Sequence, residues 1–270
     1  MQIPLDGATR VHYIVGDPIA QVKSPGGVTA DFHQAGLNAV VVPAHVVPTD
    51  LAAWAAGVSL ARNVDGIIVT VPHKFAFHAL CATASERATF LGAVNTLRRN
   101  ADGSWHGDMF DGLGYVRAMA LKGCDVAGRR VLLVGAGGAG SAIAHAVVMA
   151  GAAQLVIHDE SDSRRDTLVA RLAVLGRGEV LASRTGRPAA AGFDIALNAT
   201  PMGMQAGDPL PFSLEGAGAD TFVGCVVTQP SVPPVIAQAR ALGCETSTGA
   251  DMFAQVRELM VAFLRGQDTP

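Results

Sequence analysis

Two groups of residues in this chain have the types and spacing that chemistry requires. The sharper is Val131-Leu-Leu-Val-Gly135-Ala-Gly137-Gly138-Ala139-Gly140-Ser141, a G-x-G-x-x-G that follows a strand-like run and opens a helix-like one. Gly135 permits a tight turn, Gly137 lets the backbone approach a pyrophosphate, and Gly140 lets helix and strand close on each other. With Gly138 and Ala139 they present free backbone N–H groups at the positive end of a helix dipole. Asp159 follows at 159 − 140 = 19 residues past the last glycine, at the end of the next strand-like run, Leu155-Val-Ile-His158-Asp159-Glu160. An acid there accepts hydrogen bonds from adenosine ribose hydroxyls and repels a 2′-phosphate. Glu160 and Asp162 add to that field, and Arg164 and Arg165 offset part of it. The pattern predicts a dinucleotide cofactor, NAD ahead of NADP.

The second group lies in the N-terminal half. Thr70 and Lys74 fall in Ile68-Val-Thr70-Val-Pro72-His73-Lys74, Asn95 in Gly92-Ala-Val-Asn95-Thr96-Leu97, and Asp111 in Gly107-Asp-Met-Phe-Asp111-Gly112. Each sits just beyond a strand-like run, and the carboxyl ends of strands line the ligand crevice in open α/β sheets. A lysine paired with an aspartate suits hydride transfer at a secondary alcohol. Oxidation needs a base to accept the hydroxyl proton, and reduction needs a donor to stabilise the developing alkoxide.

The elements that must position these residues follow from the hydrophobic pattern. β-Branched runs alternate with Ala-rich segments, the signature of βα units around largely parallel sheets. Strands are predicted at Val11–Gly16, Ala39–Val47, Gly66–Val71, Val94–Arg98, Ser104–Asp108, Arg130–Val134, Leu155–His158, Asp194–Leu197 and Thr221–Val227. Asn100–Gly103 reads as a hairpin turn. A first helix is predicted from Ser24 and Pro25, with the serine as cap and the proline at the first helical position. Further helices are predicted at Gly112–Lys122, Ser141–Met149, Ser163–Leu175, Val232–Leu242 and Met252–Leu264, while Gly176–Gly192 reads as loop with one short strand.

Composition narrows the classes. At 270 residues and 50% hydrophobic the chain can bury a sizeable core, and a net charge of −3 offers no basic field for nucleic acid or an anionic membrane. No apolar run approaches the roughly 20 residues of a membrane span. Met1 to Tyr13 lacks the pattern of a secretory leader, so a cytoplasmic location is expected. Cys81, Cys124, Cys225 and Cys244 form no CxxC pair, there is no HExxH, and no metal is expected.

Six motifs in order give the chain a resemblance to the shikimate/quinate dehydrogenase family, over about Tyr13 to Leu264. They are Gly16-Asp-Pro-Ile-Ala-Gln-Val-Lys-Ser24-Pro25, Val69-Thr-Val-Pro-His-Lys74, Gly92-Ala-Val-Asn-Thr-Leu97, Gly107-Asp-x-x-Asp111-Gly112, Gly135-Ala-Gly-Gly-Ala139 and Asn198-Ala-Thr200. The resemblance implies an α/β protein with an N-terminal αβ substrate domain and a Rossmann-type, doubly wound parallel-sheet dinucleotide domain. The first would span 1–111 and be completed by a C-terminal helix at 250–266; the second would span 112–249. It implies reversible hydride transfer between a nicotinamide cofactor and a small ring acid of the shikimate type, by a monomer or homodimer. Lys74 and Asp111 match its catalytic pair. Ser24, Thr70, Asn95 and Gln255 match substrate-binding positions, to which Thr228 is added. Asn198, Thr200, Val226 and Gly249 would lie along the cofactor, with His158 beside Asp159.

The chain also departs from the family pattern. Val22 replaces the first serine of a Ser-x-Ser, Ile68 an asparagine, and Met109 and Phe110 an Asn-Thr pair. Cys225 and Thr228 stand for an aspartate and a tyrosine, and His158-Asp159-Glu160 for an Asn-Arg-Thr that serves NADP. These changes predict a less polar substrate pocket, suited also to a quinate-like, aminated or less hydroxylated ring acid. A non-catalytic NAD-binding sensor is the alternative from another class.

Overall fold

The computed structural model describes residues 5–184 and 186–267, so the first four positions read for a leader and Thr185 in the loop-like stretch lie outside the described residues. The chain divides into two units, Met1–Phe110 with Arg257–Pro270, and Asp111–Val256.

The first unit is built on β1 (Arg10–Gly16), α1 (Ser24–Gln34), β2 (Ala39–His45), α2 (Leu51–Leu60) and β3 (Val64–Val69). The short helix α3 (Lys74–His78) follows, then β4 (Thr83–Ala84), α4 (Glu86–Leu91), β5 (Thr96–Arg99) and β6 (Trp105–Asp108). The sheet runs β2-β1-β3-β5-β6-β4. β1 pairs in parallel with β2 and β3, whereas β5 is antiparallel to both β3 and β6. Ile14, Val15, Phe32, Ile67 and Leu97 form its core. Arg99 secures the far end, donating to the carbonyls of Ser59, Ala61, Val64 and Gly103 while its guanidinium lies 4.5 Å over the Trp105 ring.

Lys23, rather than Ser24, holds the capping position of α1, and no side chain caps the helix. Pro25 has no N–H, so a capping oxygen would lose one of its two usual targets. Ser24 is instead the first helical residue and is buried.

The second unit begins with α5 (Asp111–Leu121), then β7 (Arg130–Val134), α6 (Gly138–Met149), β8 (Gln154–His158), α7 (Asp162–Ala173) and β9 (Glu179–Ala182). It continues through β10 (Ile195–Asn198), β11 (Phe222–Cys225), α8 (Pro234–Ala241) and β12 (Glu245–Ser247) into α9 (Gly249–Leu264), whose later residues belong to the first unit. The order is β12-β11-β10-β7-β8-β9, with every neighbouring pair parallel. This is a doubly wound Rossmann sheet whose order reverses between β7 and β10, where such sheets open a ligand crevice. The β7 bounds coincide with the predicted ones. α6 begins three residues early because the glycine loop itself forms its first turn, and α9 starts at Gly249 behind a reciprocal Thr248–Asp251 cap. Among the described residues no helix is long and apolar enough to cross a membrane, and no group of three His, Cys, Asp or Glu is placed to hold a metal.

Candidate active site

At the switch point, the glycine loop takes the shape its spacing demands. Gly135 has φ +110°, a conformation closed to other residues, and a Cβ there would lie 2.9 Å from the Ala199 backbone. A Cβ on Gly140 would lie 2.0 Å from the Gly135 carbonyl oxygen, so this glycine sets how closely α6 approaches β7. Gly137 caps α6 in extended conformation, and a Cβ on it would meet nothing within 4 Å. Its open side faces a cleft of about 480 Å³, lined also by His158, Asp159, Arg164 and Thr200. Gly138 and Ala139 head α6, where N–H groups and dipole favour an anion. A bare loop beside open space is what a pyrophosphate needs, so the residues fit a dinucleotide.

Asp159 is buried at the mouth of this loop. One carboxylate oxygen accepts the Ala136 N–H at 2.7 Å; the other accepts the Ser161 N–H at 2.8 Å and Arg164 Nη2 at 2.8 Å. Burial alone would raise its pKa, but these backbone donors and then Arg164 hold it below the ordinary carboxylate value. The acid therefore braces the loop as well as facing the cleft. His158 lines the same space, with its Nδ1 buried and unpartnered among the described residues, and burial lowers its pKa.

Asn198 is fully buried and turned inward. Its Oδ1 accepts Thr200 N and Oγ1, and its Nδ2 donates to the Met202 carbonyl and Cys225 Sγ. It shapes the 199–202 loop, and Thr200 carries that loop into the cleft. Val226 and Gly249 meet through backbone: a Cβ on Gly249 would lie 2.3 Å from the Val226 carbonyl oxygen. Sequence reasoning missed Asp208, which lines the cleft and accepts the N–H groups of Gly203 and Gln205. An aspartate in a Gly- and Pro-rich loop carries no spacing signal, because an Asx turn accounts for it equally well.

Of the substrate-side residues, Ser24, Thr70, Lys74 and Asn95 belong to the first unit; Asp111, Thr228 and Gln255 belong to the second. Lys74 is half-buried at the start of α3, just past His73, whose Nε2 bonds the Val46 carbonyl at 2.7 Å. Thr70 follows β3, half-buried, with its N–H on Val15. Asn95 is buried and joins several segments: its carbonyl accepts Val69 N–H, its N–H donates to Asp108, and its Oδ1 accepts Phe110 N–H. Asp111 is the buried first residue of α5. Thr228 is exposed beyond β11, and Gln255 Oε1 is buried with no partner among the described residues, an acceptor that a ligand hydroxyl could satisfy.

Four of the departures from the family pattern are buried side chains. Ile68, Met109, Phe110 and Cys225 are 3%, 1%, 0% and 0% exposed, as deeply buried as Asn95 at 3% and Ser24 at 4%. Phe110 stacks edge-on against Phe263 of α9, and Cys225 belongs to the core of the parallel sheet. Val22, half-buried ahead of α1, is the departure that remains beside Ser24.

The model of the shikimate dehydrogenase substrate-binding domain matches residues 14–97. The shikimate dehydrogenase (NADP(+)) of Rubrobacter xylanophilus is 41% identical over 217 residues, 80% of this chain and 76% of that one. The chain belongs to the shikimate dehydrogenase family. Its members are oxidoreductases that act on a secondary alcohol with a nicotinamide cofactor. Among solved structures, the Listeria monocytogenes shikimate 5-dehydrogenase, in complex with shikimate and NAD, is 25% identical with a TM-score of 0.89, covering 100% of this chain and 96% of its own. The 5-ketofructose reductase of a Gluconobacter strain is 28% identical with a TM-score of 0.88, covering 97% and 95%.

Proposed function

We propose that this family member is an NAD-linked dehydrogenase that interconverts shikimate, or a closely related ring hydroxy acid, and its ketone. The observation that carries the cofactor preference is the charge of the cleft. Asp159, Glu160 and Asp208 line it, and Arg164, the one Lys or Arg among its described lining residues, is already paired with Asp159. A 2′-phosphate would meet like charge there, whereas a ribose hydroxyl can donate to the lone pair left on Asp159 Oδ2, which accepts only the Ala136 N–H among the described residues. The relative from Rubrobacter carries NADP(+) in its name, so the acidic cleft is where this chain would part from it.

The nicotinamide, when bound, supplies the hydride acceptor. Lys74 and Asp111 act together on the substrate hydroxyl, holding its proton during oxidation and returning it to the alkoxide during reduction. Ser24, buried in the first turn of α1, offers a hydroxyl and a helix N-terminus to the ring carboxylate. Thr70, Asn95 and Gln255 take the ring hydroxyls. The first unit is thus the substrate domain, and the second holds the cofactor.

The carboxylate position favours a second reading. Val22 removes one hydroxyl donor beside Ser24, and the Gluconobacter neighbour reduces 5-ketofructose, a ketone without a carboxylate. The test follows the absorbance of reduced nicotinamide with NAD or NADP against shikimate, quinate and a neutral polyhydroxy ketone. NAD-dependent oxidation of shikimate is the expected result. Turnover of the neutral ketone alone would replace the ring-acid reading with the second one, and no turnover with cofactor still bound would leave only a sensor.

A further inference from the structure

We propose that Arg87 is a positioning residue for Asp111 and Asn95, acting through its buried ion pair with Asp108. The inference rests on the catalytic role given to Asp111 above. Asp108 ends β6 and is 3% exposed. Arg87, on α4, grips its carboxylate in a fork: Nε on Oδ1 at 2.8 Å and Nη2 on Oδ2 at 2.7 Å. Ser85 caps α4 by accepting the Ala88 N–H and donates its own hydroxyl proton to the same Oδ1.

The grip continues along the backbone towards Asp111. Oδ1 of Asp108 accepts the Met109 N–H at 2.7 Å, and the next N–H, of Phe110, donates to Asn95 Oδ1 at 3.1 Å. The Phe110 ring lies 5.0 Å beneath the Arg87 guanidinium. All three residues before Asp111 are therefore held, and Arg87 touches two of them directly. Asn95 is held by the same lattice, and the adjacent Val94 N–H donates to the Lys74 carbonyl at 3.0 Å. Met109 and Phe110 are apolar and turned inward, so the ion pair is what fixes this strand end. Removing the guanidinium would leave Asp108 buried without its countercharge, and the 108–110 segment would have to move to hydrate it.

The test compares Arg87→Met and Arg87→Lys. Displacing a reacting group by about 1 Å costs about 10²-fold, so Arg87→Met is expected to lower kcat on that order while KM for the cofactor stays unchanged. Arg87→Lys, which keeps the charge but not the fork, recovers part of the loss. Amide hydrogen exchange is expected to rise at the adjoining Asp111 and, at Met109 and Phe110, more than elsewhere in the first unit. A kcat within twofold of wild type, or loosening spread evenly over that unit, overturns the proposal. If the wild type turns over no ring acid, the functional reading fails, while the exchange pattern still decides this one. Should Arg87→Met not fold, Asp108→Asn carries the same expectations.

Discussion

Lowering the pH from 6.5 to 4 should destabilise the first unit, chiefly through His12. Its ring is 4% exposed, packs at 4.6 Å against Phe32, and leaves Nδ1 buried without a partner among the described residues. Burial is the main cause that lowers its pKa from 6.5 to about 4, with Asp65 opposing and Arg10 adding to the shift. In the unfolded chain the imidazole takes up a proton near 6.5; in the folded unit it does so only near 4. Between those values the unfolded state binds more protons, so stability falls as pH falls, by about 1.4 kcal/mol per pH unit. Over that window the loss comes to about 3 kcal/mol, a large part of the roughly 5–15 kcal/mol that stabilises a domain. Below pH 4 both states are protonated and this contribution stops. Asp159 and Asp251, whose pKa values are lowered from 3.8, lose their contribution at lower pH still. Trp54 and Trp105 both lie in the first unit, so urea unfolding followed by tryptophan fluorescence reports on it selectively. His12→Leu should remove most of the slope that wild type shows between pH 6.5 and 4, the rest in this unit coming from His106, whose pKa burial also lowers. Wild-type and variant stabilities that run parallel across that range would refute the reasoning.

The glycine loop separates folding from binding. Gly137→Ala places its methyl in open space, so thermal stability should hold while cofactor Kd rises about tenfold or more, as titration of NADH fluorescence would show. Gly140→Ala puts a methyl 2.0 Å from the Gly135 carbonyl oxygen and should lower stability by about 3 kcal/mol or more, visible as a fall in Tm. Asp159→Asn removes the paired charge and releases Arg164, so kcat/KM for NADP should rise relative to NAD by about tenfold or more. An unchanged ratio would show that Asp159 serves only to brace the loop. Arg99→Met strips donors from four carbonyls and should destabilise the first unit by about 2–4 kcal/mol, measured by the same tryptophan signal.

Wherever the requirement is local, the sequence by itself determined the outcome. The glycines at 135, 137 and 140 specify a loop through φ angles and absent Cβ atoms, which no distant residue needs to supply. The buried strand Arg130–Val134 and the hairpin around Asn100–Gly103 are likewise legible, from a continuous apolar run and from turn chemistry. β4 and β12 were not legible, because strands of two or three residues exist only by virtue of the neighbours they pair with.

The direction each side chain takes was decided by tertiary structure alone. Met109, Phe110, Ile68 and Cys225 read as pocket residues by their place in motifs, yet burial against partners far along the chain turns them into the core. Asn198 spends its amide on its own loop, and Asp159 is engaged by Ala136, Ser161 and Arg164 as well as open to the cleft. The Arg87–Asp108 pair spans 108 − 87 = 21 positions and follows no helical or strand period. Motif spacing states which residues a backbone can bring to a strand end; only the packed neighbours decide which of them face inward, because each buried polar atom must find a partner that sequence order does not specify.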